Sequence, residues 1–328
     1  MAKFLFILGA GASHGSDNDM VTPPLGGSEL FNALASFNPS GWGKLTKAQT
    51  NLFKEDFEKG MEEFSKIQPS PLFRLQKAMA EYFFEFDPAS SNLYIQLAKV
   101  IKDKNIDAKF ATLNYDRLLE ISLQAAGFKM TDFRGKAQND IEVCFPHGSC
   151  NFFCKSITAP TATQFTFTDA DDGTSITGGL FSKKTSSGNV RVGITSKSTT
   201  QGRVEKVTDV DDFRNRLSSD VLPPVMSYFV PSKNTTSCVD FIEAQRERFY
   251  HLVIEAYKII IIGLQVREHD THIWQPLSKT DNEIIYCSGA TAGKKFQSWC
   301  ENHRRGKEQL ILPLYFEDGF EQLCAQFN

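Results

Sequence analysis

The sequence lacks most of the features that would settle its class at once. It has no long apolar run: the longest, Ile259 to Ile262 with its flanks, is strand-sized, whereas a membrane span needs roughly 20 apolar residues. It has no excess of basic charge, with 36 lysines and arginines against 39 acidic residues. No global field therefore draws nucleic acid or an anionic membrane surface. It has no internal repeat. Cysteines at 144, 150, 154, 238, 287, 300 and 324 give an odd count without regular spacing. That pattern fits a reducing, cytoplasmic compartment better than a disulfide framework. Cys150 and Cys154 are the only close pair, and a structural zinc would want four ligands, so no metal is expected. Lys3, Phe4–Leu8 and Ala10-Gly11-Ala12 mimic the three parts of a secretion signal, but the apolar run is too short and the charged part is one lysine.

What the sequence does have is enough apolar residues, 41% of 328, to bury a large core. The 28 phenylalanines are scattered rather than striped on one helix and lack the basic neighbours of a base-stacking platform, so they read as core. Short apolar runs at Phe4–Leu8, Ala108–Leu113, Glu142–Phe145, Lys258–Ile262, Glu283–Cys287 and Gln309–Leu314 read as buried strands. Helical patterns lie between them at Ser28–Ala35, Leu72–Phe84, Leu93–Lys102, Tyr115–Ala126, Phe241–Ala256 and Ala292–Glu301. The alternation predicts an α/β fold, a Rossmann-like parallel sheet with helices on both faces, in one domain spanning 1–328. Two stretches break the rhythm: a helical insertion at about 38–90, and an irregular, partly β insertion at about 155–235, rich in Ser, Thr and Gly.

The first strand runs into Gly9-Ala10-Gly11-Ala12-Ser13. Glycines there let backbone N–H groups approach a phosphate, although glycine after a strand is often only a turn. A P-loop would need Lys-Ser or Lys-Thr after the glycines, and there is none. The dehydrogenase fingerprint would need a third glycine where His14 stands. Two more polar stretches end apolar strands: Thr112-Leu113-Asn114-Tyr115-Asp116 and Phe145-Pro146-His147-Gly148-Ser149. Open α/β sheets bind ligands at the carboxyl ends of their strands, so these stretches are expected to converge on one crevice. Read alone, Asn114 could equally be a helix cap and His147 a core histidine satisfied by backbone.

The ordered set resembles the sirtuin superfamily: a GAG-x-S loop (Gly9 to Ser13), a T-x-N-x-D turn, a histidine-glycine pair, and a late strand ending in glycine, Ile261-Ile262-Gly263-Leu264-Gln265-Val266. The match covers residues 1 to 35, 108 to 150 and 257 to 290. It departs from the deacylases in lacking their two zinc-binding cysteine pairs, in having Leu113 before the asparagine, and in having Leu264 and Gln265 after the late glycine. Arg267-Glu268-His269-Asp270-Thr271-His272-Ile273, Pro23-Pro24-Leu25 and Phe316-Glu317-Asp318-Gly319-Phe320 look instead like the sirtuin-like domains of bacterial anti-phage defence proteins, which destroy NAD.

The resemblance implies NAD as substrate. Gly9, Ala10, Gly11, Ala12 and Ser13 would hold the pyrophosphate, with Thr112, Gly263 and Gln265 in the same site. Asn114 would place water or a ribose hydroxyl, Asp116 would lie near the nicotinamide or brace Asn114, and His147 would accept a proton. Ser288 and Gly289 are candidates for the adenosine ribose by position. His14 is expected to shape the loop; His269 and His272 have metal-ligand spacing without an evident third ligand. The implied activity is NAD+ glycohydrolysis to nicotinamide and linear or cyclic ADP-ribose. Expected partners are further copies of the chain and a separate regulatory polypeptide, a HerA-type ATPase or a short Argonaute, with no direct nucleic-acid contact. A protein deacylase using the same cofactor, and a non-catalytic module binding NAD or ADP-ribose, are the alternatives.

Overall fold

The central strands Lys3–Leu8, Lys258–Ile262 and Glu283–Cys287 carry near-continuous apolar residues and are buried on both faces, the condition of a buried parallel sheet. The computed structural model describes residues 3–67, 69–130, 141–155, 165–169, 175–178, 190–193, 204–227 and 238–327. In chain order the elements begin with β1 (Lys3–Leu8), α1 (Ala10–His14), α2 (Gly27–Phe37), α3 (Lys47–Glu55), α4 (Phe57–Ile67), α5 (Pro69–Phe84) and α6 (Leu93–Asp103). Then come β2 (Asp107–Thr112), α7 (Leu118–Ala125), β3 (Glu142–Cys144), β4 (Phe152–Cys154), β5 (Phe165–Asp169), β6 (Ser175–Gly178), β7 (Val190–Gly193) and β8 (Val204–Lys206). The last group is α8 (Val210–Ser219), α9 (Val239–Glu255), β9 (Lys258–Ile262), α10 (Thr271–Lys279), β10 (Glu283–Cys287), α11 (Gly289–His303), β11 (Gln309–Leu312) and α12 (Phe316–Cys324).

The main sheet has the order β11-β10-β9-β1-β2-β3, and every pairing in it is parallel. The expected Rossmann-like architecture is what the chain adopts. Side-chain alternation divides each strand between two cores. Phe4, Phe6, Leu8, Ile260, Ile262, Ile285 and Cys287 join one cluster with residues of α2, α5, α6, α7 and α12. Leu5, Ile7, Ile259, Ile261, Ile284 and Tyr286 join the other with residues of α9, α10 and α11. Each such side chain contributes about 1.5–3 kcal/mol on full burial.

Within 38–90, Trp42, Phe53 and Phe57 pack ring against ring and against Phe31 of α2, and the Trp42 indole N–H donates to the Leu75 carbonyl. This stretch touches the sheet side through α4, where Glu58 pairs with Arg267 and His269 of the loop after β9. Of residues 155–235, the described parts include β8, which pairs antiparallel with β4, the antiparallel trio β6-β5-β7, helix α8 and the segment to 227; 156–164, 170–174, 179–189, 194–203 and 228–235 lie outside the described residues.

Helix α10 was not expected from the sequence, and the last strand ends at Leu312 rather than Leu314; three further differences follow. Helix α7 begins at Leu118 rather than Tyr115, because the Asp116 carboxylate accepts the Leu118 N–H at 3.0 Å and closes a turn first. Helix α11 begins at Gly289, three residues before the expected Ala292, with Ser288 at its cap making no side-chain hydrogen bond. Most plainly, the reading against disulfides is corrected: Cys154 and Cys238 are bonded, with Cα atoms 6.2 Å apart across a separation of 84 residues. Spacing along the chain says nothing about which ends the fold brings together, here the end of β4 and the turn entering α9.

At the α10–β10 corner a buried arginine replaces regular structure. The Arg304 guanidinium donates to the carbonyls of Leu277, Thr280, Asn282 and Glu308. Among the described residues no helix is long and apolar enough to cross a membrane.

Candidate active site

Strand β1 is flanked by β2 on one side and β9 on the other, so the strand order reverses beside it, where open sheets leave a crevice. The chain leaves β1 at Gly9 and packs directly on the end of β9. The Gly9 N–H donates to the Ile262 carbonyl and the Gly11 N–H to the Gly263 carbonyl, both at 2.9 Å. A Cβ on Gly9 would sit 2.6 Å from the Gly263 oxygen. Gly263 has φ +65°, and a Cβ there would lie 1.9 Å from the Ala12 nitrogen. Both amides are bound inside the protein, and the glycines serve the close approach of two backbones. Ala10 is the exposed residue of the loop, and Ala12 and Ser13 are buried.

The buried end of this loop carries the polar cluster. The Ser13 hydroxyl lies 3.0 Å from the Tyr94 hydroxyl and accepts the Asn114 Nδ2–H at 2.9 Å. The same Nδ2 donates to the Gly9 carbonyl at 3.0 Å, and the Asn114 N–H meets Thr112 Oγ1 at 3.2 Å. Asn114 is no helix cap, since the cap of α7 is Arg117. Two acceptors face its amide nitrogen, so the amide oxygen is the end left to accept from a ligand.

His147 comes from the strand β3 side. Its Nδ1 lies 3.3 Å from the Leu113 carbonyl, next to Asn114, and its Nε2 lies 2.9 Å from the Nε2 of His272 on α10. The pairing with glycine has a backbone reason. Gly148 has φ +77°, a Cβ there would lie 1.9 Å from the Val225 oxygen, and the Ser149 N–H donates to that same carbonyl. The first turn, the asparagine and the histidine thus meet through hydrogen bonds between Gly9, Ser13, Leu113, Asn114 and His147.

Burial pushes the Asp116 carboxyl up to about 6; hydrogen bonds from the Leu118 N–H and Ser13 oppose this, and Glu120 reinforces it. Burial and the Asp116 charge hold the Tyr94 phenol well above its ordinary range. The Asp116 shift has a stability consequence. A carboxyl whose folded pKa exceeds its unfolded value stabilises the fold fully below about pH 4, and that contribution disappears as pH rises through 6. Two pH units correspond to about 3 kcal/mol. Asp116→Asn is therefore expected to raise the thermal midpoint at pH 8 and leave it nearly unchanged at pH 4. Equal shifts at both pH values would contradict the burial argument.

The remaining candidates make the following contacts. Gln265 is exposed on the loop after β9. Ser288 Oγ accepts the Leu264 N–H at 3.0 Å and the Gly289 N–H donates to Leu314, so both hold the neighbouring β10 corner. His14 shapes its loop through the Pro23 carbonyl at 3.0 Å. His269 and His272 diverge, one to Glu58 and one to His147, and among the described residues no group of three or more His, Cys, Asp or Glu side chains is placed to hold a metal ion. Sequence reasoning missed Tyr94 and His272 as site residues. Tyr94 sat in an ordinary amphipathic pattern, and only its hydroxyl on a buried face was a signal. His272 was noticed for metal spacing alone.

No family model and no curated protein matches the chain. Solved structures do. One, on the structural basis of sirtuin substrate affinity, is 12% identical, covers 98% of this chain and 93% of its own, and gives a TM-score of 0.46. A Sir2 homologue in complex with NAD is 13% identical over 99% and 89%, with a TM-score of 0.43. A Sir2 homologue variant in complex with ADP-ribose is 14% identical over 99% and 91%, also at 0.43. The chain is similar to these Sir2 proteins, and at 12–14% identity the likeness assigns it no activity.

Proposed function

We propose that this chain is an NAD+ glycohydrolase that splits NAD+ into nicotinamide and linear or cyclic ADP-ribose. One observation carries the reading: the Asn114 amide is fixed by Gly9 and Ser13 while the adjacent Leu113 carbonyl fixes His147, so an acceptor and a base share one edge of the sheet. Breaking the bond between ribose and nicotinamide sends the electron pair out with a neutral leaving group and leaves oxocarbenium character at the sugar. The leaving group needs no acid. What the reaction needs is a group to place the attacking oxygen and a base to take its proton.

Asn114 accepts a hydrogen bond from water or a ribose hydroxyl. His147 Nε2 takes the proton as the oxygen adds. Asp116 and Tyr94 brace Ser13, and through it Asn114. The nucleotide lies across the exposed side of the Ala10 turn at the strand-order reversal. In line with the resemblance to defence-associated domains, the activity serves anti-phage defence by NAD depletion. It operates in a self-assembled form under control of a separate partner, a HerA-type ATPase or a short Argonaute.

The test is nicotinamide release from NAD+ by the purified chain, alone and with each class of partner. We expect release that His147→Ala removes while the thermal midpoint stays within a few degrees. Release unaffected by His147→Ala refutes the assignment, and so does no release under any partner condition. Deacylation of an acetylated peptide without free ADP-ribose would move the chain to the deacylase class.

A further inference from the structure

We propose that His272 is a positioning residue that holds His147 at rest by occupying the lone pair through which His147 would take a proton. The inference rests on the NAD-cleaving reading of the site. It starts from tautomer chemistry. The Leu113 carbonyl can only accept, so the His147 nitrogen facing it, Nδ1, carries the hydrogen. In the neutral ring Nε2 is then the acceptor, with a single lone pair in the ring plane. The group on that lone pair is the Nε2 of His272, at 2.9 Å. Two nitrogens at that distance share one hydrogen, and with His147 already protonated at Nδ1 it belongs to His272.

The arrangement is built rather than incidental. His147 is buried and His272 half-buried, and they come from chain segments 125 residues apart. His272 lies in the first turn of α10, and the loop leading to it is fastened by Arg267 and His269 to Glu58 of α4. The ring centroids are 5.1 Å apart and tilted by 53°, which suits an in-plane N–H···N bond rather than stacking.

The consequence follows from counting lone pairs. Substrate water cannot reach His147 Nε2 until His272 gives it up, so the competent state is the fraction in which this bond is open. An ordinary hydrogen bond corresponds to about tenfold in population, and the rate of the proton-accepting step falls by that fraction.

The experiment is a donor series at position 272. Gln retains an N–H that can replace the imidazole donor; Leu has similar bulk and no donor. We expect His272→Leu to raise kcat/KM for nicotinamide release about tenfold, mainly through kcat, with His272→Gln close to the parent. A merely structural role predicts that both variants lose activity together, and that result overturns the proposal. A second measurement needs no activity. Nitrogen NMR of the full chain should show coupling between the two Nε2 nuclei across the hydrogen bond, with His147 as the Nδ1–H tautomer, and His272→Leu should abolish the coupling. Missing coupling overturns this inference alone. Coupling without NAD cleavage by any variant overturns the functional reading, and this inference with it.

Discussion

Asn114→Ala is expected to lower nicotinamide release by roughly 10²–10³-fold, the usual effect of removing a preorganised polar group at a reacting centre. The amide nitrogen is bound to the Gly9 carbonyl and the Ser13 hydroxyl, so the amide oxygen has one direction, set by two bonds of 3.0 and 2.9 Å. Alanine removes the acceptor and also deprives two buried oxygens of a donor, at about 1–3 kcal/mol. Activity and stability therefore fall together, and the two must be measured together. Asn114→Asp separates them. It keeps the shape and an acceptor but sets a carboxylate against the Gly9 carbonyl, so it should destabilise at neutral pH and recover as the carboxyl protonates. An Asn114→Ala protein that loses stability yet cleaves NAD+ at the parent rate would show the residue to be a strut. Nicotinamide quantified beside urea denaturation decides the matter.

The largest effect on folding is expected at Gly263. An alanine there must adopt φ +65°, and its Cβ would fall 1.9 Å from the Ala12 nitrogen and 2.3 Å from the Gly11 carbonyl carbon. Both are backbone atoms, held by the β1–β9 pairing, and neither can rotate aside. Gly306 supplies the control: its φ is +77°, and a Cβ there meets nothing within 4 Å. Gly306→Ala should cost only the left-handed penalty of about 1–2 kcal/mol. Gly263→Ala adds a clash that places it among the exceptional single substitutions, about 4 kcal/mol or more. Chemical denaturation of both variants measures the difference. Equal losses would mean that the two strand ends are free to separate, and the packed switch point described above would be wrong.

The sheet was legible because its strands are buried on both sides, and continuous apolar runs such as Lys258–Ile262 and Glu283–Cys287 have the strand bounds the structure gives them. Helix starts were less legible where the cap gives no side-chain signal: α2 is capped by Gly26, and α7 is delayed by the Asp116 turn. The polar strand ends could be seen one by one, and their meeting at a shared edge followed from topology. What they do to one another could not be read. The amides of the opening glycines go to β9 rather than outward, and His147 faces a histidine 125 residues away. Tyr94 is core apart from one oxygen atom, and nothing in the Leu93–Lys102 pattern marks that atom. Side-chain convergence between distant elements leaves no local pattern, and the same holds for the Cys154–Cys238 bond.

Arg304 shows what such convergence can replace. Four carbonyls drawn from the end of α10, the turn before β10 and the approach to β11 are gathered on one planar fork. The fork acts as a rivet through three otherwise separate bends, and the Lys307 ammonium adds bonds to the Ser278 and Thr280 carbonyls of the same corner. A lysine would keep the charge and lose the brace, because a point-like ammonium lacks the guanidinium's spread of five fixed donors. At this corner the shape of the cation, more than its charge, determines whether the outer two strands stay in line with the rest.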